Sequence, residues 1–77
     1  IIDNDFASIQ ARLSKVFGLT LREAEVLTWI ANGKANRDIG SILDLSPRTI
    51  NKHLERIHRK LGVENRTAAA AMALNAL

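Results

Sequence analysis

The chain has 77 residues, 47% of them apolar and 25% charged, with no cysteine. This is the size and composition of one small globular domain, and it excludes a disulfide scaffold, a thiolate zinc site and a disordered tail. The net charge of +3 is gathered in the middle, where residues 33–62 hold seven basic and three acidic side chains; a basic centre favours an anionic partner, nucleic acid first and an anionic membrane second.

Every recurring pattern has a helical period, and no alternating strand pattern of useful length appears, so the fold class is all-α. Phe6, Ile9, Leu13, Val16 and Phe17 recur at three- and four-residue steps. With Asn4 or Asp5 as cap and Gly18 as stop, they predict a first helix over 5–17. The opening Ile1-Ile2, in place of Met, is expected of a segment cut from a longer protein. Thr20-Leu21-Arg22-Glu23 fits a capping box, in which the Thr hydroxyl and the Glu carboxylate each accept from the other's backbone N–H. Ala24, Val26, Leu27, Ile30 and Ala31 then form an apolar arc, closed by Asn32-Gly33. At about 100° per residue Trp29 falls outside that arc, and it is expected to pack under the first helix. The alternative is an exposed Trp for a protein partner.

A short helix follows, from Ala35 or Asn36 to Leu43, buried through Ile39, Ile42 and Leu43. Ser46 is a favoured N-cap, and Pro47 suits the first helical position because its missing N–H would be unpaired there anyway. They predict a helix over 47–61, stopped by Gly62. Asn65 can cap a last helix, 66–76, which is alanine-rich with Met72, Leu74 and Leu77 as its large apolar groups.

In the helix over 47–61, Ile50, Leu54, Ile57 and Leu61 lie within about 60° of arc. Arg48, Lys52, Glu55 and Arg59 fall on the far side, flanked by Asn51 and Arg56. One reading is an ordinary solvated face in which Glu55 pairs with Arg48, Lys52 or Arg59. The other rests on order: a short helix, a tight turn and a firmly capped basic helix are how a second helix is presented to the DNA major groove. Base edges there are met by Arg, Lys and Asn. Membrane binding is the weaker option, since the basic helix has no large apolar residue on its outer edge. Nothing suggests an enzyme, so no catalytic residue, metal ligand or cofactor is assigned. His53 and His58 point about 140° apart on one helix and cannot share a metal. Asp38 and Asp44 are isolated, and there is no glycine-rich phosphate loop.

Four segments carry a resemblance. Leu19-Thr20-Leu21-Arg22-Glu23-Ala24-Glu25-Val26-Leu27, Gly33-Lys34-Ala35-Asn36-Arg37-Asp38-Ile39-Gly40, Leu45-Ser46-Pro47-Arg48-Thr49-Ile50-Asn51-Lys52-His53-Leu54 and Lys60-Leu61-Gly62-Val63-Glu64-Asn65-Arg66-Thr67 resemble the LuxR-type (GerE-like) DNA-binding domain, in order and with the right gaps. The resemblance covers about residues 19–74. It implies a four-helix helix-turn-helix domain, 19–77, preceded by an N-terminal linker helix, 1–18, that connects to an upstream sensor or receiver domain. It further implies a cytoplasmic transcriptional regulator of the response-regulator kind that binds double-stranded DNA sequence-specifically.

By position, Arg48, Asn51 and Lys52 match base-contacting places, with Glu55 one turn further on. Lys34, Asn36, Thr49 and Arg56 match places near the sugar-phosphate backbone, and His53 and Arg59 join that group. The last helix is expected to form a weak homodimer through Ala69, Met72, Ala73 and Leu77, and RNA polymerase is a further candidate partner. Arg48 and Lys52 can donate to guanine, Asn51 can pair bidentately with adenine, and Glu55 can accept from cytosine or hold a neighbouring Arg. Three positions depart from the family pattern. Ala35 stands where a capping Ser or Thr is common, Gly40 where Ala is usual, and Asn51 where Lys is common. Two alternatives remain open: a sigma-factor-like promoter-binding domain, and a helical protein-interaction module built on Trp29 and the last helix.

Overall fold

Helix ends are set by local chemistry. A computed structural model describes residues 2–77, with side chains from Phe6 onward. It contains α1 (Ile2–Phe17), α2 (Leu21–Ala31), α3 (Asn36–Leu43), α4 (Pro47–Leu61) and α5 (Arg66–Asn75), and no strand among the described residues. The capping box before α2 is complete: the Glu23 N–H donates to Thr20 Oγ1 at 3.1 Å, and the Thr20 N–H donates to Glu23 Oε1 at 3.0 Å. Ser46 Oγ accepts from the Thr49 N–H with Pro47 in the first turn of α4, and Asn65 Oδ1 accepts from the Ala68 N–H at the start of α5. Gly62 ends α4 at φ 72°, a left-handed conformation that costs glycine nothing.

The helices enclose a single core around α2. Ala24, Val26, Leu27 and Ile30 of α2 are buried with Leu13 of α1, Ile39 of α3, Ile50, Leu54, Ile57 and Leu61 of α4, and Ala69 and Ala73 of α5. Burying the four α4 side chains contributes roughly 6–12 kcal/mol gross, an upper bound because unfolded chains are partly compact. That stripe meets α2, α3 and α5, while α1 packs on α2. Ser14 Oγ donates to the Leu19 carbonyl at 2.7 Å, and Gln10 Nε2 to the Leu21 carbonyl at 2.9 Å. Trp29 packs under α1 as expected, its ring centroid 4.9 Å from that of Phe6.

Four expectations are corrected. First, α1 starts at Ile2, so Asn4 and Asp5 lie inside it and not at its cap; their side chains, like all of Ile1, lie outside the described residues. Second, Ile42 is 47% exposed. Ile39 and Leu43 sit about 40° apart and face the core, and Ile42, about 100° from Leu43, turns past the edge of so short a helix. The third and fourth concern Ala69 and Ala73, proposed for pairing, which are 0% exposed. Both are part of the core and have no surface to offer a second copy.

Candidate nucleic-acid interface

The turn between α3 and α4 fixes how α4 is presented. Asp44 ends α3 at φ 58°, and the Leu45 N–H donates back to the Gly40 carbonyl at 2.8 Å. A Cβ on Gly40 would collide with the Leu45 carbonyl oxygen. Glycine at this position is therefore what lets the turn fold so tightly over α3. Ala35, the N-cap of α3, makes no side-chain cap, and the helix begins at Asn36.

With its stripe buried, α4 turns Arg48, Asn51, Lys52, Glu55, Arg56 and Arg59 to solvent, while Thr49 and His53 are half-buried at its flanks. The helix is about 22 Å long, so these groups form one donor-rich face. Among the described residues Glu55 pairs with none of Arg48, Lys52 or Arg59; the ion pairs found are Arg22–Glu25 and Lys60–Glu23. Among the described residues no cation of this face is held in an ion pair. Ser46 Oγ and Thr49 Oγ1 stand 3.1 Å apart, which ties Thr49 to the cap. His53 Nδ1 is enclosed, with no hydrogen-bond partner among the described residues.

Three residues, Lys60, Thr28 and Arg66, make contacts that the sequence reading did not single out. Lys60 leaves the basic face: its Nζ donates to Glu23 Oε1 at 2.8 Å, staking the end of α4 to the start of α2. Burial pushes the Glu23 carboxyl up, but the Lys60 ammonium and the Thr20 donors outweigh it and hold the carboxyl below the usual range. Thr28 is buried with its hydroxyl satisfied, donating to the Ala24 carbonyl. Arg66 reaches from α5 to the loop before α3, donating through Nη1 to Asn36 Oδ1 and through Nη2 to the Lys34 carbonyl. A cation at a helix N-terminus opposes the dipole by about 0.3–1 kcal/mol. Two charge-assisted hydrogen bonds of about 1.5–3 kcal/mol each exceed that cost.

Of the residues assigned to DNA by sequence, α4 gathers Arg48, Asn51, Lys52, Glu55, Arg56 and Arg59 on one exposed face. Lys34 is exposed and Asn36 half-buried at the start of α3. Of the pairing residues, Met72 is half-buried and Leu77 half-exposed; Leu74, not singled out for pairing, is 56% exposed on the same helix. Among the described residues no cluster of three or more His, Cys, Asp or Glu could hold a metal, and no helix is long and apolar enough to cross a membrane.

A short helix, a tight turn and a capped basic helix with its polar face outward define a helix-turn-helix domain. The family profile described as bacterial regulatory proteins, luxR family, matches residues 18–73. The chain belongs to that family and carries its helix-turn-helix DNA-binding domain. It is 43% identical over 63 residues to the putative HTH-type transcriptional regulator y4qH of Sinorhizobium fredii, covering 82% of this chain and 19% of that protein. It is 48% identical over 56 residues to the transcriptional activator protein BjaR1 of Bradyrhizobium diazoefficiens, and 50% identical over 56 residues to the HTH-type quorum sensing-dependent transcriptional regulator RpaR of Rhodopseudomonas palustris. Each of these two matches covers 73% of this chain and 23% of the relative. The chain thus spans about a fifth to a quarter of the length of these relatives. No solved structure matches it significantly. The matches lend no support to the sigma-factor reading.

Proposed function

We propose that this chain is the output domain of a longer bacterial transcriptional regulator and that it reads double-stranded DNA with α4 in the major groove. The observation that carries this reading is the α4 face, a row of exposed donors backed by a fully buried apolar stripe and free of internal ion pairs among the described residues. Arg48, Asn51, Lys52 and Glu55 meet base edges. Lys34, Asn36, Thr49, His53, Arg56 and Arg59 meet the sugar-phosphate backbone and set the register. Two copies pair weakly through Met72 and Leu77, with the exposed Leu74 beside them, and read half-sites about one helical turn apart. A sensor or receiver domain upstream supplies the signal, as the greater length of the relatives suggests. RNA polymerase is the further partner at a promoter, and the cytoplasm is the compartment.

The test is binding to random duplex DNA across a salt series. Log K falls against log salt with a slope of about −0.9 per phosphate neutralised. A flat response removes nucleic acid as the partner. Lys52→Ala lowers affinity for the preferred site far more than for random DNA; an equal loss on both reassigns Lys52 to the backbone.

A further inference from the structure

The corner that leads into α3 is built with little support of its own. Gly33 is left-handed at φ 83°, and the Lys34 N–H donates to the Trp29 carbonyl at 3.0 Å. Ala35 offers no capping side chain. Among the described residues, the side-chain hydrogen bonds that reach this corner from elsewhere in the chain come from Arg66 alone. We infer that Arg66, the first residue of α5, is a positioning residue for the DNA-backbone grip, holding the segment Lys34 to Asn36 in the conformation from which Lys34 and Asn36 meet phosphate. The inference rests on the DNA reading above.

Two chemical details support the role. By accepting from Arg66 at Oδ1, Asn36 keeps its Nδ2 hydrogens, the half of the amide that can donate to a phosphate oxygen. Arg66 holds Lys34 by its main-chain carbonyl, which leaves the exposed ammonium unspent. The guanidinium also spans two acceptors at once, a planar fork that a lysine cannot reproduce. The helix that carries the proposed pairing residues thereby supports the place where DNA is gripped.

A double-mutant cycle on random duplex DNA, read by fluorescence anisotropy, tests this. Lys34→Ala keeps the carbonyl that Arg66 holds and removes only the ammonium. Arg66→Ala and Lys34→Ala each lower affinity on the order of tenfold, the scale of one charged hydrogen bond. The pair together falls well short of the product of the two losses, because once the Lys34 ammonium is gone Arg66 acts on DNA only through Asn36. Losses that multiply to about a hundredfold mean that Arg66 meets DNA independently, and they overturn the inference. Arg66→Lys behaves like Arg66→Ala; full rescue by lysine makes charge alone the cause and also overturns it. Should Arg66→Ala fail to fold, Arg66→Lys carries the same cycle.

Hydrogen exchange without DNA separates this inference from its parent reading. In Arg66→Ala the Gly33 and Lys34 amides exchange faster while the α4 amides stay protected. Unchanged exchange at the corner overturns the positioning role even if DNA binding holds. A wild-type domain with no salt-dependent DNA affinity sinks the parent reading instead.

Discussion

Lys60→Met removes an ammonium and keeps the apolar stem. Glu23 would be left with its carboxylate buried and only the Thr20 donors to satisfy it. Removing one partner of a fully buried ion pair costs about 3–5 kcal/mol. The Lys60 side chain is 37% exposed against 4% for Glu23, so water screens one end of the pair. Exposed pairs contribute about 0–1 kcal/mol, which places this one near 2 kcal/mol. For a domain of this size that lowers the thermal midpoint by roughly 10 °C.

The pH dependence has a definite sign. The folded Glu23 carboxyl sits below its ordinary value. Its contribution is therefore present above the unfolded value, about pH 4.3, and is lost as pH falls through the lower folded value. Urea denaturation of wild type and Lys60→Met at pH 7 and at pH 3 checks both points. The gap is about 2 kcal/mol at pH 7 and is smaller at pH 3, below the ordinary carboxyl value. A gap under about 0.5 kcal/mol at pH 7, on the surface-substitution scale, would refute the reasoning, as would one that does not change with pH.

Gly40→Ala runs against helix propensity, which favours alanine by up to about 1 kcal/mol. Collision with the Leu45 carbonyl reverses the sign, and a net loss of about 1–3 kcal/mol in thermal melting is expected; a raised midpoint would show that the turn has room. Leu77→Asp, on a half-exposed side chain, leaves the melting midpoint within the range of ordinary surface changes, about 0.5 kcal/mol, and lowers cooperative binding to a two-half-site duplex. Undiminished cooperativity in gel shifts would move the pairing surface off this end of α5.

Features written in neighbouring residues were legible in the sequence. Thr20 with Glu23, Ser46 with Pro47, Gly62 and Asn65 mark helix ends because a cap is a contact across three residues or a single glycine. The α4 stripe was equally plain, since its apolar and charged residues differ sharply and its period is clean. The face of α5 was not. Ala68 to Ala71 present the same small apolar group on every side, so no pattern says which alanines turn inward; packing against the core chose Ala69 and Ala73. The ties from Lys60 to Glu23 and from Arg66 to Asn36 span 37 and 30 residues, and spacing along the chain cannot encode them. Arg66 left one clue, a cation at a helix N-terminus where the dipole disfavours it.

Whether α4 reads base edges is tested most directly by selecting bound sequences from a random duplex pool with the wild-type domain and with Asn51→Lys side by side. The wild type should enrich a defined half-site, and Asn51→Lys should change the preferred base from adenine to guanine at one position while leaving the others as they were. Enrichment of no sequence by the wild type, or an identical half-site for both proteins, would contradict the assignment of α4 to the major groove.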